Sequence, residues 1–130
     1  MTAHNRDGGA ISIVMVLLLV MVLGGAGLVV DGGRALVARR QASNTAEAAA
    51  RAAVATATPV TGFDRDVARS AALSYAARAG VPATDVRVVV GPDFVTVTIV
   101  ERRDTVFLIL GGQETVTVQA SGTARVAYTE

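Results

Sequence analysis

The most distinctive pattern in the chain is an apolar stretch close to its N-terminus. No charged residue occurs between positions 8 and 30, and positions 11–23 are almost entirely Ile, Val, Leu and Met. About 20 residues of α-helix are enough to cross the roughly 30 Å hydrocarbon core of a bilayer. The pattern therefore predicts one transmembrane helix over residues 10–30, preceded by a short leader of residues 1–9.

A secretory signal peptide is the competing interpretation of this stretch. Cleavage would then follow the small residues Gly24 and Ala26. The region before the apolar run carries only Arg6 and His4 beside Asp7, and the run is long for a signal peptide. We therefore favour an anchor that stays attached to the chain.

Charge near the two ends of the predicted span gives conflicting evidence on topology. Arg6 and the terminal amine precede the span, whereas Arg34, Arg39 and Arg40 follow it. The positive-inside rule alone would leave the C-terminal domain in the cytoplasm, although this rule is weak when a long domain follows the helix. The charge pattern leaves both orientations open.

Helical signals continue beyond the apolar stretch, over residues 31–58. This segment is rich in alanine, the residue with the highest helix propensity, and Pro59 and Gly62 are expected to end it. Gly32 and Gly33 weaken the junction with the span. The alanines have two interpretations: simple helix propensity, or a surface that lets another backbone approach closely.

The rest of the chain predicts a small α+β domain over residues 63–130. Asp64 is a good N-cap and Gly80 a good C-terminal stop for a second helix. The apolar period then changes to two, which predicts strands over residues 86–90, 94–103 and 115–128. We expect the second helix to cover the apolar face of this three-stranded antiparallel sheet.

A short apolar segment, residues 106–110, separates the second and third strands. It is far too short to span a bilayer, so we interpret it as a turn or helical loop packed under the sheet. The alternative is a surface that contacts membrane or a partner.

Composition argues against catalysis and against most ligands. Hydrophobic residues make up 52% of the chain, its net charge is +1, and it contains no cysteine and a single histidine, His4, ahead of the span. Catalytic triads and thiolate metal sites are therefore excluded from the folded domain, and no charge excess attracts nucleic acid. The acidic residues mostly occupy caps, turns and strand ends. We expect no catalytic residue, no cofactor, no metal and no small-molecule substrate.

Several segments resemble the TadE/TadG-like proteins of the tight-adherence (Flp) pilus system. The resemblance is carried by residues 6–10, 27–34 and 40–50, and again by residues 107–111 and 116–124. These positions supply a basic, Gly-containing leader, an Asp-x-x-Arg step after the apolar helix, and an Ala-rich stretch with an acidic residue. That acidic residue is glutamate here, where the family more often has aspartate.

The resemblance implies a minor pilin-like or pseudopilin-like structural subunit of a Tad pilus or a related secretion assembly. Its N-terminus would be cytoplasmic and its C-terminal domain outside the cell membrane, contrary to the arginine count. Its partners would be membrane lipid, other pilin-like subunits and Tad assembly proteins. The residues implied at the membrane edge and in assembly are Asp31, Arg34, Gln41 and Glu47. A membrane-tethered binding module without catalytic activity, with an exported or a cytoplasmic domain, is the alternative function.

Gly8 and Gly9 are the candidate sites of leader processing. Pilins cut after a glycine usually carry glutamate five residues further on, but cleavage at these positions would place Ile13 or Val14 there. We therefore expect a subunit that is either uncut or placed at a tip or initiating position.

Overall fold

The computed structural model describes residues 6–58 and 62–127, and it has the predicted α+β architecture. Two α-helices, three strands and two short 3-10 helices follow one another along these described residues. Their bounds are α1 Arg6–Val54, α2 Arg65–Arg78, 3-10 Ala83–Asp85, β1 Val86–Val90, β2 Phe94–Asp104, 3-10 Leu108–Gly111 and β3 Thr115–Arg125. The strands form one sheet in the order β1-β2-β3.

The chain divides into two compact units at Arg34. The first unit contains α1 as far as Arg34 together with Asp104–Thr115. Within the described part of the chain, α1 is the one helix long and apolar enough to cross a membrane. It continues through Gly32 and Gly33 without interruption.

The second unit contains Ala35–Arg103 and the chain from Val116 onward. Its helix α2 begins as the sequence predicts, because one Asp64 carboxylate oxygen accepts hydrogen bonds from the backbone N–H groups of Asp66 and Val67, at 2.8 and 3.1 Å. Gly80 follows the helix with a φ of 83°, a left-handed conformation that glycine adopts without steric cost.

The sheet is antiparallel and follows the predicted period of two. Val88 of β1 faces Val97 of β2 in a register that runs from Val86–Ile99 to Val90–Val95. On the outer face, hydroxyl pairs join β2 to β3: Thr96 to Thr123 at 2.8 Å and Thr98 to Ser121 at 2.9 Å. The inner face buries Val95, Val97 and Ile99, so the predicted assignment of the two faces is confirmed.

The core of the second unit contains the predicted contact between α2 and the sheet, together with a second helical cover. The C-terminal part of α1 also packs on the sheet, and it contributes more buried residues to the core cluster than α2 does. The alanines of this part of α1 that join the core cluster are Ala42, Ala46, Ala49, Ala50 and Ala53. The α2 contribution is Ala68 and Ala72. The alanines of α1 thus allow another backbone to approach closely, and that backbone is the sheet of the same chain.

Gly122 of β3 shows how close this approach is. A Cβ atom at this position would lie 2.3 Å from the backbone nitrogen of Glu47 and 2.6 Å from the carbonyl carbon of Ala46. Such distances are far below van der Waals contact, so only glycine fits. The strand and the helix therefore pack backbone against backbone.

One helix boundary and one burial assignment differ from what the sequence pattern indicates. The first helix ends at Val54 rather than at residue 58, where a turn with a bond from the Thr56 hydroxyl to the Ala53 carbonyl, 2.7 Å, replaces it. Val67, whose helical spacing is typical of the buried face of α2, is 51% exposed, whereas the buried residues of this helix are Ala68, Ala72 and Ala76. The predicted end of the third strand, at residue 128, lies outside the described residues.

Candidate functional site

Asp31 marks the place where the apolar stretch of α1 ends, and its carboxylate is almost fully buried. Only 4% of the residue is exposed. Its oxygens accept hydrogen bonds from three consecutive backbone N–H groups: Val106 at 2.9 Å, Phe107 at 2.9 Å and Leu108 at 2.8 Å. Bonds to an ionised acceptor are stronger than bonds between neutral groups, so this carboxylate holds the segment tightly.

The segment that Asp31 holds is the connection between β2 and β3, residues 105–114, which we call the capped loop. Its ends are joined by the Thr105 N–H, which donates to the Glu114 carbonyl at 2.9 Å, and by the Thr105 hydroxyl, which donates to the Gln113 carbonyl. Between them lies the 3-10 turn Leu108–Gly111, which ends at Gly112 with a φ of 85°. The loop is therefore an ordered, closed structure.

A glycine in α1 lets the capped loop lie directly on the helix. A Cβ atom at Gly27 would be 2.6 Å from the Cβ of Phe107, one turn before Asp31. This contact and the Asp31 cap correct our prediction for residues 106–110, which we placed under the sheet. The segment packs on the apolar helix because a buried carboxylate there satisfies its backbone donors.

An apolar groove of about 560 Å³ runs between the helix and the capped loop. Its lining is Val20, Leu23, Gly24, Leu28, Phe107, Leu108, Leu110 and Gly111. Large apolar side chains on the loop remain outside any packed core, and Leu110 is 87% exposed. Such a surface is typical of a contact with lipid or with another protein.

The comparison with known families concerns the same helix. Residues 9–57 match the family model described as putative Flp pilus-assembly TadE/G-like. This segment therefore resembles the TadE/G-like proteins. The resemblance predicted from the sequence is thereby confirmed over these residues, which cover α1 almost completely and extend just past its end. No curated protein and no solved structure matches the chain.

The other predicted assembly residues on α1 are exposed, whereas Asp31 is buried. Arg34, Gln41 and Glu47 are exposed, and Glu47 forms an ion pair with Arg51, one turn further on, at 3.8 Å. Arg34 follows Asp31 by one turn and interacts with it electrostatically. The structure thus brings Asp31 together with a distant loop, whereas it leaves the other three on the helix surface.

Gly8 and Gly9, the candidate processing sites, lie in the first turns of α1. The leader before Arg6 lies outside the described residues. Whether the chain is cut at either glycine stays a prediction.

Sequence reasoning missed the partners of Asp31, although the sequence does contain a signal for them. A carboxylate at the end of a long apolar run needs hydrogen-bond donors when it is buried, and no donor side chain follows it before Arg34. Residues 106–110 form the one other strongly apolar, turn-like segment of the sequence. Pairing the two would have placed the loop on the helix.

Proposed function

We propose that this protein is a minor pilin-like structural subunit of a Tad (Flp) pilus or a related secretion assembly, held in the cell membrane by residues 10–30. The observation that carries the proposal is the coincidence of the TadE/G-like match, residues 9–57, with a helix whose first half is apolar on all sides. An apolar surface all the way round is typical of a helix surrounded by lipid. The subunit acts by anchoring and packing, without catalysis.

We propose further that the surface for neighbouring subunits lies on the exposed side of α1, just beyond the span. The alanine surface of the helix is occupied by the chain's own sheet, as described above. Leu36 and Val37, by contrast, are 60% and 56% exposed, and Arg34, Gln41 and Glu47 are exposed on the same stretch of helix. Apolar side chains framed by charged and polar ones are suited to a contact between proteins.

Co-purification tests the assembly role. The tagged chain is crosslinked in cells that make the Tad system and is then isolated from detergent-solubilised membranes. We expect pilin-like subunits to be recovered with the wild type, and much less with Leu36→Glu combined with Val37→Glu. Val89→Glu is the matched control, because Val89 is also an exposed apolar residue, at 50%, but lies on β1. Equal recovery with all three proteins, or recovery of none, would favour the tethered binding module.

Protease access in intact spheroplasts tests the orientation. We propose that the domain after residue 30 is exported, so external protease should remove it while the cell membrane is intact. Protection until the membrane is opened would reverse the topology, in agreement with the arginine count.

A further inference from the structure

The capped loop carries a row of exposed apolar side chains that nothing in its own unit covers. Val106, Phe107, Ile109 and Leu110 are 46%, 40%, 50% and 87% exposed. The row is flanked by polar residues: Asp104 just before the loop, and Gln113 and Glu114 at its C-terminal end, are all exposed. A polar-flanked apolar turn of this kind is unfavourable in water and favourable at the boundary between water and hydrocarbon.

The position of the loop along α1 indicates which environment it meets. The groove that it shares with the helix reaches back to Val20. At a rise of about 1.5 Å per residue, Val20 lies about 15 Å along the helix from Val30, the end of the predicted span. If residues 10–30 cross the bilayer, the tip of the loop therefore lies beside the part of the helix that is inside one leaflet.

Hydrocarbon tolerates irregular backbone only where its polar groups are satisfied internally. In the capped loop, six backbone N–H groups between residues 106 and 113 have an acceptor within the protein. Asp31 accepts the N–H groups of residues 106–108, and loop carbonyls accept those of Leu110, Gly112 and Gln113, each at 3.0 or 3.1 Å. A loop exposed to water would need no such carboxylate, because water itself would bind these donors.

We propose that residues 106–111 insert into the bilayer beside α1, in the same leaflet as residues 20–30, with Leu110 and its apolar neighbours in contact with lipid acyl chains. The protein would then hold the membrane at two points: a helix that spans it and a loop that enters one leaflet. Asp31 makes this insertion possible by satisfying the loop's backbone. The proposal rests on the membrane anchor described under Proposed function.

Tryptophan fluorescence tests the insertion, because the chain has no tryptophan of its own. Three single variants are reconstituted in vesicles of phosphatidylcholine and phosphatidylglycerol, with or without bromine on the acyl chains, which quenches nearby indole. Leu110→Trp reports the loop, Leu17→Trp reports the span, and Thr117→Trp reports the polar face of β3. We expect the first two to lose most of their fluorescence in brominated lipid and the third to keep it.

A second pair of variants tests the role of the cap. In the Asp31→Ala background, the N–H groups of residues 106–108 lose their acceptor, so Leu110→Trp should lose most of its quenching. Leu17→Trp in the same background should be quenched as before, which shows that the anchor is intact. Unchanged quenching of Leu110→Trp would contradict the role assigned to Asp31.

The outcomes separate failure of the loop from failure of the anchor. If Leu17→Trp is quenched and Leu110→Trp is not, the insertion proposal is wrong while the anchor stands. Should that result come with oligomers on crosslinking, a neighbouring subunit covers the loop in place of lipid, and the proposal is equally wrong. If neither tryptophan is quenched, the membrane anchor itself is refuted.

Discussion

The close contact between Gly122 and α1 allows a sharp test of how the second unit is packed. The change Gly122→Ala adds one methyl group, whose carbon would lie 2.3 and 2.4 Å from the backbone N and Cα atoms of Glu47. Both neighbours are helix backbone, so no side-chain rotation can make room. The strand and the helix must therefore separate, and the contacts between the α1 alanines and the sheet are weakened along with them.

The expected loss of stability follows from this geometry. Overpacking a well-packed core costs about 1–3 kcal/mol and sometimes more, and a clash with rigid backbone belongs at the upper end of this range. In a domain of 60–100 residues each kcal/mol lowers the melting temperature by roughly 4–8 °C. We therefore expect Gly122→Ala to melt about 10–20 °C below the wild type.

Two glycine variants are matched controls for this measurement. At Gly91 the added atom would lie 2.2 Å from the Phe94 ring, which can rotate away, so Gly91→Ala should cost only about 1 kcal/mol. At Gly33 the added atom meets nothing within 4 Å, and alanine in a helix should stabilise by up to about 1 kcal/mol. The assay is thermal unfolding of the detergent-solubilised proteins, followed by circular dichroism. A melting temperature for Gly122→Ala equal to that of Gly91→Ala would refute the backbone-to-backbone packing.

Three further changes test individual contacts. Asp64→Ala removes the N-cap of α2 and should lower the free energy of unfolding by about 1 kcal/mol in thermal or denaturant unfolding; no change would mean that the cap is dispensable. Ile99→Ala should cost about 2–5 kcal/mol because Ile99 is 1% exposed, whereas Val67→Ala, at a position 51% exposed, should cost less than about 0.5 kcal/mol. Thr105→Val removes the hydroxyl that closes the capped loop, and this should lower the free energy of unfolding by about 1 kcal/mol. Amide hydrogen exchange of residues 106–113 should then become faster, while exchange in β1 is unchanged.

Much of the second unit could be predicted because its signals are local. The change of apolar period from helical to alternating located the strands, and Asp64 and Gly80 located the ends of α2. Turn and capping signals act over a few residues, so they can be recognised without knowing the fold. The same reasoning separated the buried and exposed faces of β2 and β3 correctly.

The capped loop could not be placed in this way, because its position depends on contacts between residues far apart in the sequence. Asp31 and Leu108 are 77 positions apart, and the sequence around either residue does not indicate the other as its partner. The role of the α1 alanines was hidden for a similar reason. Alanine at these positions favours a helix in any context. The backbone that packs against them is that of β3 at Gly122, a residue far along the chain.

The proposed role requires that α1 stays attached to the chain and holds the protein in the membrane. The most direct measurement is the intact mass of the chain after cell membranes have been washed with alkaline carbonate. We predict that the protein stays in the washed membranes with residues 10–30 present, and that its first residue is Ala10 or earlier. A chain recovered in the soluble fraction, with a mass that places its first residue after Gly24, would contradict the membrane anchor and the loop insertion that depends on it.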